Sequence, residues 1–328
     1  MYDTITLYID KSFLPMGATD FDRLLLPLLD DWTIQRDHRK QGQFWGNSGN
    51  LRACVNPYSV TLSGSLPEWF LSDNLQTINR QQTKQAIEKL SDSLSLPMAR
   101  ARVKRIDTAA NLTMKFPLDV YFGRLGELSK FEKVPLPNGW RYSQHRRQLE
   151  FYDKIAEMKR KRKPIPGLFK DRYIMRFEYR YLYDLPHLLK LPEIRGETLY
   201  NDTFYQSLIQ RWKEGYFSIE KATQNNNRPM PTENKFKTPN DLLMFLSYER
   251  LQEPGSEARA IQLIKEYQKR GALSKMQAKR MRDTLSKIKE GAGIQNAGED
   301  DILKEMDESI NAAAVLNGSG GANRKGRK

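Results

Sequence analysis

"RYIMRFEYRYLY", residues 172–183, decides the fold. Read as a strand, its period of two puts Met175, Phe177, Tyr179 and Tyr181 on one face and Arg176, Glu178 and Arg180 on the other. The first set is a core face. The second holds an acid between two guanidinium groups. "ARVKRIDTAANLTM" (101–114) repeats the pattern, with Arg105 and Asp107 on one face. If these two strands are neighbours, one sheet face carries two carboxylates ringed by arginine. Two readings stay open. The residues form salt bridges on a solvated face, or Asp107 and Glu178 ligate a hard cation such as magnesium or manganese while Arg105, Arg176 and Arg180 grip phosphate.

Outward from that pair, "TITLYID" (4–10) and "YSVTLSGS" (58–65) alternate as half-buried strands, and "QGQFWGNSGN" (41–50) reads as a Gly/Asn-rich turn region. "TKQAIEKLSDSL" (83–94) spaces Ala86, Ile87, Leu90 and Leu94 for an amphipathic helix. The order predicts an α+β domain over 1–190, a mainly antiparallel sheet with helices on one face. Residues 191–290 read as a mostly helical accessory region that binds DNA or a partner. It contains a helix at 199–217, a polar loop at 223–239, a helix at 239–251 and two basic helices broken at Gly271, the second capped by Ser274. Residues 291–328 read as a short helix and a disordered Gly-rich basic tail.

The chain carries 54 Lys and Arg against 40 Asp and Glu, a formal charge of +14, so a polyanion is the expected partner. The apolar run "LLLPLL" (24–29) is proline-interrupted and far short of the ~20 residues of a bilayer span. "MYDTITLYID" lacks the basic-then-apolar layout of a secretion signal, and a single cysteine, Cys54, suits a reducing compartment. Nucleic acid in a cytoplasm is therefore favoured over a membrane. The three histidines, His38, His145 and His187, form no metal-binding pair, and neither a phosphate-binding glycine loop nor a dinucleotide fingerprint occurs.

"QLEFYDKIAEMKRKRK" (148–163) supplies a candidate nucleophile. As a strand it sets Gln148, Glu150, Tyr152 and Lys154 on one face, so the Lys154 ammonium would lie beside the Tyr152 phenol and lower the cost of ionising it. The other reading is a half-buried aromatic with a solvated lysine. The basic run Lys159, Arg160, Lys161, Arg162 and Lys163 reads either as a phosphate-contacting arm or as a solvated loop. Trp45, Trp69 and Trp140 are core aromatics first and base-stacking platforms second.

Four motifs, "SGSLPEWFLSDNLQTI" (63–78), "RIDTAANLTM" (105–114), "HRRQLEFYDKIAE" (145–157) and "IMRFEYRYL" (174–182), stand in an order and spacing that resembles the phage and plasmid replication proteins typified by the filamentous-phage gene II initiator. The resemblance covers about residues 1–190. It implies a rolling-circle initiator, a site- and strand-specific DNA nickase that forms a covalent 5′-phosphotyrosine and later rejoins the strand. It also implies that Tyr152 is the nucleophile, Lys154 its partner, and Asp107, Glu178 and Glu157 metal ligands. A host helicase would unwind the origin, since rejoining conserves the phosphodiester's energy and needs no ATP. The chain departs from the wider class of such nickases in having no His-hydrophobe-His metal motif. The alternatives are a non-catalytic origin-binding initiator or repressor and a single-strand nucleic-acid-binding protein.

Overall fold

The computed structural model describes residues 1–13, 25–34, 43–73, 75–221, 247, 256–291 and 299–318. The expected loop at 223–239, nearly all of the expected helix at 239–251 and the tail from 319 onward lie outside the described residues. Ten strands form one sheet: β1 (Tyr2–Asp10), β2 (Trp32–Ile34), β3 (Phe44–Ser48), β4 (Leu51–Asn56), β5 (Ser59–Ser65), β6 (Arg102–Met114), β7 (Glu132–Leu136), β8 (Gly139–Gln144), β9 (Arg147–Asp153) and β10 (Tyr173–Tyr181). Their order is β2-β3-β4-β5-β1-β6-β10-β9-β8-β7, with every neighbouring pair antiparallel. The α+β class and antiparallel sheet are as the alternating segments predicted.

The region expected to be a turn at 41–50 contains β3. Gly46 is there for close approach within the sheet, because an added Cβ would lie 2.6 Å from the Asp31 carbonyl oxygen. The actual turn is Gly49–Asn50, with Gly49 at φ +57°, a conformation that costs glycine no steric strain.

The apolar face of the sheet is the core. Phe151 of β9 stacks on Phe177 of β10 with centroids 4.3 Å apart, and Trp212 lies 4.7 Å from Phe177 and donates its Nε1–H to the Phe177 carbonyl at 3.2 Å. Trp212 belongs to a helix over Asp202–Phe217, which buries Leu208, Trp212 and Tyr216. In chain order the helices are α1 (Leu66–Leu71), α2 (Arg80–Leu94), α3 (Leu118–Phe122), α4 (Lys154–Arg160), α5 (Leu185–Leu189), α6 (Asp202–Phe217), α7 (Ser256–Lys269), α8 (Lys275–Gly291) and α9 (Glu299–Gly318). Helix α2 begins at a capping box, Asn79 with Gln82, and buries Ala86, Ile87, Leu90 and Leu94 as its spacing predicted.

The expected domain boundary near 190 falls inside a compact unit. Residues 1–228 and 304–328 make one unit and 229–303 make the other. The reason is non-local. Helix α6 covers the core strands, and the C-terminal part of α9 returns to bury Met306 and Ile310 while Asp307 accepts from the Tyr216 hydroxyl at 2.6 Å. The second unit contains α7 and α8, a basic hairpin turned at Gly271 (φ +74°), with the Ser274 Oγ accepting from the Gln277 N–H at 3.2 Å.

Candidate active site

The opposite face of the central strands is polar, and the register assembles it. Strand β6 lies directly beside β10, pairing Asp107 with Arg180 and Asn111 with Arg176, while β9 flanks the other side and pairs Tyr152 with Arg176 and Glu150 with Glu178. The carboxylates of Asp107 and Glu178 and the phenol of Tyr152 therefore stand on one face, each reached by period two from a different strand.

Glu178 sits at the centre. Its Oε1 accepts from the Tyr152 hydroxyl at 2.7 Å and from Arg176 Nε at 2.6 Å. Its Oε2 accepts from Arg180 Nε at 2.9 Å and from a terminal Arg180 nitrogen at 2.6 Å. Asp107 accepts twice from Arg105, at 2.8 and 2.7 Å, with Arg180 Nε 3.7 Å away. Burial alone would raise the Glu178 carboxyl, but Arg176 and Arg180 outweigh it and hold the group well below the usual carboxylate range. Tyr152 goes the other way. Burial pushes its phenol well above 10, Arg176 opposes this, and the Glu178 charge adds to it, so the resting tyrosine is a neutral donor.

Burial also pushes the Asp107 carboxyl up to about 6, against the pull of Arg105 and Arg180. A carboxyl raised in the folded state adds stability that is present below its unfolded value near 4 and is lost as pH rises through about 6. The unfolding free energy of the parent relative to Asp107→Asn is thus expected to shrink between pH 4 and 7. Urea titrations of both proteins across that range measure it; a difference that grows with pH contradicts the assignment.

Two residues that period-two reasoning left unassigned complete the network. Glu150 accepts from Arg141 at 2.5 Å and from two Arg180 nitrogens at 2.7 and 2.6 Å. Alternation had already put it on the Tyr152 face, which was the available signal. Asp3 pairs with Arg176 at 2.8 Å and accepts from Ser65 Oγ at 2.9 Å. Simple alternation along β1 assigns Asp3 to the Ile5 face. A register shift against β6 between Tyr2 and Ile5 turns it over, and no local pattern shows that shift.

Lys154 departs from its expected place. Strand β9 ends at Asp153, whose side chain caps α4 by accepting from the Ala156 N–H at 2.9 Å, so Lys154 is the first helical residue and not a strand neighbour of Tyr152. It is buried, its ammonium lies 2.9 Å from Glu157, and burial with the nearby Arg176 charge lowers its pKa. Glu157 pairs with Lys154 and Lys161, in a cluster of its own on α4. Burial would raise its carboxyl, but the two lysines hold it below the ordinary value. Arg176, expected to grip phosphate, is 1% exposed and is enclosed by Glu178, Asp3 and Asn111. The cations of this face with accessible side-chain surface include Arg105, Arg180 and, through its pairing with Glu150, Arg141, at 33%, 19% and 36% side-chain exposure. In the basic run, Lys161 and Lys163 pair with Glu157 and Glu68, and Lys159, Arg160 and Arg162 are exposed. His145 packs edge-on against Tyr183 at 5.1 Å, in the turn between β8 and β9. Tyr142 is buried on the apolar face and donates to the Gly126 carbonyl at 2.8 Å, away from Tyr152.

As arranged, these carboxylates do not fit a divalent cation. A carboxylate offers about four lone-pair positions, and Glu178 fills four with Tyr152, Arg176 and Arg180. Among the described residues, no group of three or more His, Cys, Asp or Glu side chains is placed to hold a metal ion. What the arrangement can do is hold a phenol in register beside an anionic hydrogen-bond acceptor, with the accessible guanidinium groups of Arg105, Arg180 and Arg141 able to meet phosphate oxygens.

No helix of the described residues is long and apolar enough to cross a membrane. No curated protein sequence matches the chain. Among solved structures, a rolling circle replication initiator protein from Geobacillus stearothermophilus aligns over 75% of this chain and 94% of that one, at 13% identity and a TM-score of 0.38. The Phage_CRI family, described as the N-terminal part of a replication-associated protein, matches residues 32–222. That span contains nine of the ten strands and, apart from Asp3, every member of the Tyr152–Glu178 network. The chain belongs to that family of replication-associated proteins.

Proposed function

We propose that this protein is a site- and strand-specific DNA nickase that opens and reseals a replication origin, with Tyr152 as nucleophile. The observation that carries the reading is the 2.7 Å hydrogen bond from the Tyr152 hydroxyl to Glu178 on a face lined by Arg105 and Arg180, in a chain of the replication-associated family. The Tyr152 oxygen attacks phosphorus, its proton passes to Glu178, and the bond from phosphorus to the 3′ oxygen breaks. That oxygen leaves as a 3′ hydroxyl after taking a proton from water, and the 5′ phosphate stays on Tyr152. Attack by the free 3′ hydroxyl of another strand reverses the chemistry and reseals a circle.

The arginines make proton transfer depend on substrate. Arg180 divides its hydrogen bonds between Glu178 and Glu150, and a phosphate at its exposed edge competes for the same N–H groups. Each bond withdrawn from Glu178 raises the proton affinity of the carboxylate, so the acceptor strengthens as the phosphate arrives. Arg176, buried and held by Asp3 and Asn111, keeps Glu178 in place meanwhile.

Magnesium or manganese enters this reading only if Arg105 and Arg180 release Asp107 and Glu178, and no step above uses it. The test is to incubate the full chain with labelled supercoiled plasmid bearing its own origin, in magnesium, in manganese and in EDTA. Nicked circles with label retained on denatured protein are expected. Nicked circles without covalent label would overturn the phosphotyrosine route, and nicking only with metal would assign the carboxylates a second, metal-bound arrangement. A host helicase as partner follows from the same reading. The non-catalytic reading has one observation in its favour, the neutral, hydrogen-bonded state of Tyr152.

A further inference from the structure

The polar face continues past Arg105, away from Tyr152, over positions of β1, β5, β4 and β3 that take no part in the Tyr152–Glu178 network. Along one row Arg105 lies beside Thr6, Thr6 beside Ser63 and Ser63 beside Arg52. Along the next, Tyr8 lies beside Thr61, Thr61 beside Cys54 and Cys54 beside Trp45. The other face of these strands is apolar and buried, with Leu7, Ile9, Val60, Leu62, Ala53 and Val55. Here instead are hydroxyls, cations and two rings, each ring with a cation over it. The Arg52 guanidinium is 4.2 Å from the Trp45 centroid and the Lys104 ammonium 5.2 Å from that of Tyr8. Arg52 and Lys104 are exposed, and Trp45, Tyr8, Thr6, Thr61 and Ser63 are half-buried. Of the acids near Tyr8, Asp10 accepts from Ser12 and, at 3.4 Å, from the Tyr8 hydroxyl, and Glu193 accepts from Arg102, which lies beside Tyr8.

We infer that this band binds single-stranded DNA that runs on from the phosphodiester at Tyr152, with bases stacked on Trp45 and Tyr8 and phosphates on Arg52, Lys104 and Arg105. The choice of DNA rests on the nicking reading; the site rests on the rings and cations. Six strand spacings separate β3 from β9, about 29 Å at ~4.8 Å each, which is room for several unpaired nucleotides. Flat rings interleaved with cations match a single strand, because every base offers a π-face and the backbone is a line of negative charge. A duplex keeps its bases stacked within the helix and brings only phosphates to such a surface.

The experiment is fluorescence anisotropy of the full chain with labelled (dT)20, an oligonucleotide without an origin. Trp45→Ala and Tyr8→Ala are each expected to weaken binding roughly 5- to 100-fold. Trp45→Phe, which keeps a ring, is expected to stay within a few-fold of the parent, and an unlabelled 20-base-pair duplex to compete poorly. Folded Trp45→Ala and Tyr8→Ala proteins that bind like the parent overturn the site, as does a duplex that competes as well as (dT)20. Should the alanine variants fail to fold, photo-crosslinking of the parent to (dT)20 carrying 5-iododeoxyuridine decides: adducts at Trp45 or Tyr8 support the site, and adducts confined to α7 and α8 overturn it. Binding of (dT)20 requires no nick, so this result and the origin-nicking assay can fail independently.

Discussion

Replacing Tyr152 by phenylalanine is expected to abolish covalent capture of DNA while leaving the fold in place. The substitution keeps the ring on β9 and removes only the hydroxyl that donates to Glu178. Nicking of origin-bearing plasmid should fall by at least about 10³-fold, the scale seen when a covalent nucleophile is lost. Stability should fall by about 1.5–3 kcal/mol, the worth of one hydrogen bond to a charged acceptor, because three guanidinium hydrogen bonds remain on Glu178. Plasmid nicking, label retention and urea unfolding of the same preparation measure all three. A Tyr152→Phe protein that nicks like the parent would remove the nucleophile from the mechanism and favour the non-catalytic reading.

Glu178→Ala is expected to be the most destabilising single change on this face. Glu178 is 2% exposed and accepts from Arg176, itself 1% exposed, and from Arg180. Deleting it takes a carboxylate from a buried guanidinium that Asp3 and Asn111 also hold, and breaking a buried pair from one side costs about 3–5 kcal/mol. In a unit of this size that lowers the unfolding midpoint by roughly 10 °C. Glu193→Ala makes the contrast, because its carboxylate, 34% exposed, pairs with the surface cations Arg102 and Arg195 and its loss leaves the β10 network whole. If calorimetry finds Glu178→Ala within about 1 kcal/mol of the parent, water satisfies the arginines and the network is not closed. Glu178 would then be free for a metal after all.

How the site was legible differs from residue to residue. Arg176, Glu178 and Arg180, and Arg105 with Asp107, could be placed on one face from the sequence, since a strand's side-chain period is fixed by its backbone. Glu150 came with Tyr152 by the same rule. Lys154 did not follow it, although Asp153 before "KIAEM" carried a helix-start signal, and the local switch from period two to helix moved the lysine one residue into a new element. Asp3 had no local signal, because its face depends on a register shift against β6.

The limits of the first unit were hidden for a related reason. Helix α6 reads as an amphipathic helix wherever it packs, and its fit over Phe177, Phe151 and Tyr2 ties it to the sheet, with α9 returning beside it through Glu305 and Asp307. Those acids accept from Tyr121 and Tyr216 across sequence separations of 184 and 91 residues, which no periodicity records.

By itself, then, the sequence determined five of the ten strands, β1, β5, β6, β9 and β10, with their two faces, the surplus of positive charge and the tyrosine with its acids as a set of candidates. These follow from backbone period and composition, which are local or summed quantities. Only the tertiary structure decided that β6, β10 and β9 are adjacent, that Glu178 spends its lone pairs on Tyr152 and two arginines, and that Arg176 is sealed from solvent. Strand order, register and burial are set by pairing between distant segments. Whether a carboxylate meets a metal, a guanidinium or a phenol is settled there.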